Sequence, residues 1–245
     1  MTVQFKKFIV GLGSMLSLFL SAALQAAPSC SLPSVIPPAH QEKPGETRQV
    51  PIGGYLLTFT WTPEECFKLK RLPADASDPT RNTDMQCGKT NHFGFVLHGL
   101  WPEGQDKDWP QYCKPVATVS AATVRSQLCR TPSVWLVEHE WEKHGSCGWA
   151  TPEAYFGQSA KLMDKIRLPD MGGLSRGQVN ASAVRAAFTA ANPSLPHDAI
   201  GIAANKGGWF EEVRLCLDTA FKYHKCPSYS FGAADSERLQ VARLR

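Results

Sequence analysis

Five side chains in two short segments have the types and spacing for proton-transfer chemistry. His98 lies in FGFVLHGLWPEG (residues 93–104), and His139, Glu140, Lys143 and His144 lie in WLVEHEWEKHGSCG (residues 135–148). Imidazoles move protons near neutral pH because their ordinary pKa lies close to it. A lysine and a carboxylate beside them suit a reaction that develops negative charge. No nucleophile motif competes, since the chain has neither a G-x-S-x-G turn nor a Gly-rich loop followed by Lys-Ser/Thr. The set therefore points to a substrate that carries its own nucleophile. RNA meets that description, because its 2′-hydroxyl can attack the adjacent phosphorus while one imidazole removes a proton and another supplies one.

These groups must be positioned by a strand and a helix. Phe93, Phe95 and Leu97 alternate with Gly94, Val96 and His98, the period-two pattern of a strand over His92 to His98. That places His98 at a strand end, with Gly99 after it. The second segment reads as a helix over Val134 to His144 that Gly145 terminates. At the ordinary turn of about 100° per residue, with His139 at 0°, Lys143 falls near 40°, Glu140 near 100° and His144 near 140°, so the four are expected to share one strip of the helix, facing His98. Glu138, Glu142 and Trp135 are expected on the other side. The company of Trp135, Trp141 and Trp149 argues for a packed helix rather than a solvated charged face. The same angles speak against a zinc protease. His139-Glu140 begins like HExxH, but position 143 is lysine, and His144 is expected to point well away from His139.

Around these segments strands and helices mix without βαβ alternation, which predicts an α+β fold. Further strands are expected at Gly54 to Trp61 and Trp209 to Asp218, the latter with Val213, Leu215 and Leu217 on one face. Helices are expected at Pro152 to Ile166, capped by Thr151, and at Ala181 to Ala191 after Asn180. Residues 31–51, with five prolines, read as an extended surface arm, and Ala233 to Arg245 as a frayed tail or short helix.

The N-terminus has Lys6 and Lys7, an apolar run from Phe8 to Leu20, and small residues through Ala26-Ala27, the order of a secretory signal. Residues 1–26 are expected to be cleaved, leaving 27–245 as one domain in the periplasm or outside the cell, with no membrane span. Removing those residues takes away two lysines and no acids, so the formal charge falls from +4 to +2. So small an excess, with no Lys/Arg block, would not by itself suggest a nucleic-acid partner. The even set of Cys30, Cys66, Cys87, Cys113, Cys129, Cys147, Cys216 and Cys226 in an exported chain argues for disulfides. No closely spaced CxxC pair suggests zinc, and no metal or other cofactor is expected.

FVLHGLWP and WLVEHEWEKHGSC resemble the two signature segments of the ribonuclease T2 family, and LLTFTWTPEEC and EEVRLC resemble its early and late strands. The likeness runs over roughly residues 55–227 and suggests a bacterial, exported member. It implies a largely antiparallel sheet flanked by helices and stabilised by disulfides. It also implies an endoribonuclease that cleaves single-stranded RNA, with low base specificity and without metal, through 2′,3′-cyclic phosphates, and a monomer is expected. Carried over by position, it makes His98 the general acid and His144 the general base, puts His139 on the phosphate, and gives Glu140 and Lys143 the transition state. It offers Trp101 as a base-stacking residue, Glu103 as a weaker base contact, and Trp109 or Tyr112 as a second wall. It pairs Cys113 or Cys129 with Cys147, Cys216 with Cys226, and, most loosely, Cys66 with Cys87. WTPEEC, where relatives have WP, an aromatic and cysteine, and Ser146, where threonine is commoner, are departures outside the ionisable set.

Overall fold

The structure, a computed structural model, describes residues 1, 30–38, 45–71 and 84–244. Residues 2–26 of the expected signal segment, Pro44 and His40 lie outside the described residues. In chain order the elements are β1 (Gly54–Trp61), α1 (Thr62–Arg71), α2 (Asp84–Cys87), β2 (Phe95–Glu103), α3 (Ala121–Gln127) and α4 (Val134–Glu140). Next come a π-helical turn (Trp141–Gly145), α5 (Ser146–Gly148), α6 (Pro152–Met163), β3 (Gln178–Asn180) and α7 (Ala181–Ala191). The chain closes with β4 (Ile200–Ala204), β5 (Phe210–Leu217), α8 (Ser228–Phe231) and β6 (Arg238–Gln240). The main sheet has the order β2-β1-β5-β4, every pair antiparallel, and β3 with β6 forms a second small sheet. This is the α+β architecture the resemblance implies.

Alternation along the strands divides the work of the main sheet. Leu57, Phe59, Val213, Leu215, Leu97 and Ile202 are fully buried, in one core with Val137 and Trp141 of the central helix, Tyr155 and Phe156 of α6, and Val184 and Phe188 of α7. The intervening residues Leu56, Thr60, Glu212 and Arg214 line a cleft. Burial of one apolar face drives the sheet against the helices and leaves the other free to carry polar groups.

β1 and α7 have the bounds expected for them, β5 is one residue shorter at each end, and Thr151 caps α6 by accepting from the backbone N–H of Ala154 at 3.3 Å. β2 starts later than expected and continues through Trp101-Pro102-Glu103, so His98 is not at a strand end. β2 is an edge strand, where a proline is tolerated because one row of its backbone groups has no strand partner. The C-terminal tail is neither frayed nor helical. Leu239 and Val241 are buried, Arg238–Gln240 pairs with β3, and the carbonyl of Ala242 accepts from the Trp61 indole at 2.8 Å.

Four disulfides close the fold: Cys30–Cys129, Cys66–Cys87, Cys113–Cys147 and Cys216–Cys226. Cys113 is thus the partner of Cys147, and Cys129 ties down the N-terminal arm through Cys30. On that arm Leu32 and Ile36 pack against the core, and Arg48 bridges Gln111.

The C-terminal segment is held by Arg185 of α7, whose side chain is wholly buried. Its Nε donates to the carbonyl of Ile200 (2.8 Å), Nη2 to those of Phe231 (2.9 Å) and Ala233 (2.8 Å), and Nη1 to Asp235 (2.8 Å). Arg185→Met would strand these acceptors inside the protein, so a loss of about 3–5 kcal/mol is expected in urea unfolding. A change below about 1 kcal/mol would show that the clamp is dispensable.

Candidate active site

The first signature segment reaches the cleft through a break in strand pairing. Along β1 and β2, Thr58 faces Gly99 and Phe59 faces Leu97, so His98 is the extra residue of a β-bulge. A bulge re-aims the side chains that follow it. Here it lets His98 and Trp101, three residues apart, both enter the cleft.

The second segment is shaped by its π-turn. The N–H of Ser146 reaches the carbonyl of Trp141, five residues back. A turn wound this widely brings positions i and i+5 closer to one face than ordinary helical angles predict. The wide separation expected for His139 and His144 is therefore incorrect. Their rings stand 6.3 Å apart, and ligand atoms of His139, Glu140 and His144 lie within 4.8 Å of one another. That trio has the donor types to hold a divalent cation, so helical angle does not disqualify it as a ligand set. Nor does Gly145 end the helix, which continues through Gly148. Gly145 serves close packing instead, since a Cβ there would press on the rings of Trp141 and Tyr155. The widened turn is pinned from outside, where the N–H of Tyr112 donates to the carbonyl of Lys143 at 2.9 Å and Cys113 is bonded to Cys147.

Within a cleft of about 620 Å³ the structure gathers all five predicted ionisable residues, His98, His139, Glu140, Lys143 and His144. Trp101 touches three of them, His98, Glu140 and His144. The His144 ring stacks on it at 5.3 Å and His98 meets it edge-on at 5.0 Å. Its indole N–H donates to Glu140 Oε2 at 2.9 Å, and the Arg214 guanidinium lies 5.3 Å from its ring centre. Glu140 is buried and also accepts from the Tyr155 hydroxyl at 3.2 Å, while its Oε1 faces His98 Nε2 at 3.4 Å. Trp135, expected on the far side, stacks on His139 at 5.0 Å and lines the cleft. Residues four apart share a helix face, so the expected direction was at fault. Glu138 does point away, accepting from the N–H of Val119 at 2.9 Å.

The two imidazoles on either side of Trp101 have opposite electrostatics. Burial pulls the His98 pKa down, but the Glu212 carboxylate, aided by Glu140 and Glu65, overrides it and raises the imidazole above its ordinary value. His144 is driven well below its ordinary value by burial and by repulsion from Lys143, His139 and His98. Burial raises the carboxyl of Glu140 against the opposing pull of His98 and His139.

Four residues of this network were not singled out from sequence: Tyr155 beside Glu140, and Thr60, Glu212 and Arg214 around His98. Glu212 Oε1 lies 2.8 Å from His98 Nδ1, Thr60 Oγ1 lies 3.0 Å from the same nitrogen, and Arg214 grips Glu212 Oε2 through Nη2 (2.9 Å) and Nε (3.2 Å). The signal was present in EEVRLC. With Val213 and Leu215 facing the core, two charged residues alternate on the opposite side of the same strand.

Among the base-contact expectations, Trp101, Glu103 and Trp109 line the cleft. Burial pushes the Glu103 carboxyl up to about 7, opposed by a hydrogen bond from Ser230 and by Arg214. Trp109 is 40% exposed. Tyr112 does not line the cleft. Its backbone has a φ of 48°, and its ring lies against Gly45 of the N-terminal arm.

A family model described as the Ribonuclease T2 family matches residues 52–226, about seven-tenths of the chain. A probable ribonuclease of Haemophilus influenzae is 27% identical over 189 residues, covering 75% of this chain and 64% of that protein. A ribonuclease of Aeromonas hydrophila is 31% identical over 164 residues, covering 67% of this chain and 60% of that protein. The chain thus spans somewhat over half the length of these two bacterial relatives. An RNase-related protein from Calystegia sepium has the same fold, with a TM-score of 0.59 at 19% identity, covering 78% of this chain and 97% of that one.

Proposed function

Because this chain belongs to the ribonuclease T2 family, we propose that it is an endoribonuclease that cleaves single-stranded RNA by attack of the 2′-hydroxyl on the adjacent phosphorus. The observation that carries this reading is the pair His98 and His144, flanking Trp101 in one cleft with pKa values displaced in opposite directions. Such a pair is a ready acid and a ready base at the same pH.

In the first step neutral His144 takes the 2′ proton as the 2′ oxygen bonds to phosphorus. Protonated His98 gives its proton to the 5′ oxygen as the old P–O bond breaks, which leaves a 2′,3′-cyclic phosphate and a free 5′-hydroxyl. Water then opens the cyclic ester with the two roles reversed. Lys143 and His139 line the same cleft, where the Lys143 ammonium stabilises the phosphorane oxygens and the His139 ring contacts the phosphate. Glu140 holds Trp101 and Tyr155 in register beneath them. Since the substrate supplies the nucleophile and two imidazoles move the protons, no metal is required by this mechanism.

Trp101 packs on His144 and Arg214, and Trp109, 40% exposed with the Arg48 guanidinium 5.0 Å from its ring centre, offers a second aromatic ring to a base, with Glu103 within the same cleft. Stacking is tolerant of base identity and contributes about 1–3 kcal/mol per base, consistent with low specificity. Export of a monomer to the periplasm or the medium is part of this proposal, supported by four disulfides. Among the described residues no helix is long and apolar enough to cross a membrane.

Purified protein mixed with total RNA in excess EDTA should degrade it at an undiminished rate and leave 2′,3′-cyclic or 3′-phosphate ends. No cleavage, or cleavage that chelation abolishes, would refute the proposal. The second outcome would direct attention to His139, Glu140 and His144 as ligands.

A further inference from the structure

We propose that Glu212, locked in place by Arg214, is the positioning residue that fixes the tautomer and charge of His98. The inference rests on the ribonuclease reading for what His98 does, but its geometry stands apart from that reading. β1 lies between β2 and β5, so a side chain on β5 meets one on β2 only by passing over β1. Strands are about 4.8 Å apart, and the span is therefore roughly 10 Å. Three features close that distance. The β-bulge turns His98 inward, Glu212 extends from β5, and the β1 residue opposite Glu212 is Thr60, small enough to lie beneath both and polar enough to contact His98 Nδ1 itself.

The result is one short contact, Glu212 Oε1 to His98 Nδ1 at 2.8 Å, with the second carboxylate oxygen taken by Arg214. A carboxylate held this way keeps a proton on Nδ1 through the whole cycle. Nε2, which faces the cleft beside Glu140, is then the nitrogen that loses and regains a proton. The same logic places an orienting carboxylate behind the histidine of hydrolytic triads.

The charges facing His98 come from four elements: Glu65 on α1, Glu140 on α4, His144 in the π-turn, and Glu212 on β5. Glu212 is nearest. Its own carboxyl, despite burial, is held down to about 2 by His98 and Arg214, so it stays ionised across the working range.

Glu212→Gln keeps the shape and an acceptor oxygen but removes the charge. In NMR titration of the folded protein, the His98 imidazole should titrate about one pH unit or more lower in this variant. The alkaline limb of kcat should move by the same amount. Activity should fall about tenfold on the alkaline side, return towards wild type in acid, and leave KM little changed. Glu212→Ala, which removes orientation as well, should lose activity at every pH. If Glu212→Gln does not fold, Glu212→Asp serves instead, and its retained charge should keep the His98 titration above that of free histidine. A His98 titration unmoved in Glu212→Gln, a kcat loss equal at all pH values, or an ordinary His98 titration in Glu212→Asp would overturn the proposal. The titration needs no RNA, so a protein that fails to cleave RNA yet shows the His98 shift would refute the ribonuclease reading and leave the Glu212–His98 coupling intact.

Discussion

Replacement of either His98 or His144 by alanine is expected to lower RNA cleavage by about 10²- to 10⁴-fold, the contribution of one positioned acid or base. The two losses should not multiply in the double variant, because acid and base act in the same step. The pH profile separates their roles. Two histidines at the ordinary value near 6.5 would have His98 protonated and His144 neutral in about a quarter of molecules at best. In this cleft His98 is shifted up and His144 down, so the productive pair is the dominant form between their two values. Activity should rise with pH as His144 deprotonates below the ordinary histidine value, hold a plateau, and decline as His98 deprotonates above it. The limbs report the coupled pair rather than either ring alone. A profile with both limbs on one side of the ordinary value, or near-normal kcat in either alanine variant, would show that these two residues are not the acid and base.

Gly99→Ala is the second large effect. The residue lies in the His98 bulge, and a Cβ at that position would land on the Glu140 carboxylate, with the Trp101 indole nitrogen 3.1 Å away. Glu140 cannot yield easily. It is buried, it accepts from Trp101 and from Tyr155, and the Tyr155 hydroxyl in turn accepts from the N–H of Leu100 at 3.1 Å. A single methyl group would therefore push apart the strand that carries His98 and the helix that carries His144. We expect kcat to fall on the order of 10²-fold, the scale of losing one preorganised electrostatic contact. Stability should fall by about 1–3 kcal/mol, as hydrogen bonds to a buried carboxylate are broken. The check is kcat and urea unfolding of the same preparation. Unchanged kcat would mean that Glu140 is not held where this geometry requires it.

The ionisable set was legible because its residue types are rare together and its two segments are distinctive. The strands β1 and β5 and the helix α7 were legible because their apolar periodicity is regular. What sequence concealed is where periodicity breaks. The bulge at His98 and the π-turn at Trp141–Gly145 each shift the phase of one element. Counting residues at a fixed angle put the four ionisable groups on one strip of the helix, but it set His144 further from His139 than the widened turn does and placed His98 at a strand end. β4, with the sequence IGIAA, is short and made up to three-fifths of glycine and alanine, which do not mark a strand, and it is fixed by pairing with β5 instead. The C-terminal tail looked polar because half of its residues are, yet Leu239 and Val241 suffice to dock it. Glu212 and Arg214 were visible as an alternating charged face, but their partner lies two strands away, and sheet order is not written in local pattern.

The most direct test of the central claim is a DNA oligonucleotide containing a single ribonucleotide, incubated with the purified protein in EDTA, with the fragment ends identified by mass. Cleavage should occur only on the 3′ side of that ribose and yield a 2′,3′-cyclic phosphate facing a 5′-hydroxyl. The same oligonucleotide with a 2′-O-methyl group at that ribose should remain intact. Cutting of the methylated strand, or a product bearing a 5′-phosphate, would contradict attack by the substrate's own 2′-hydroxyl.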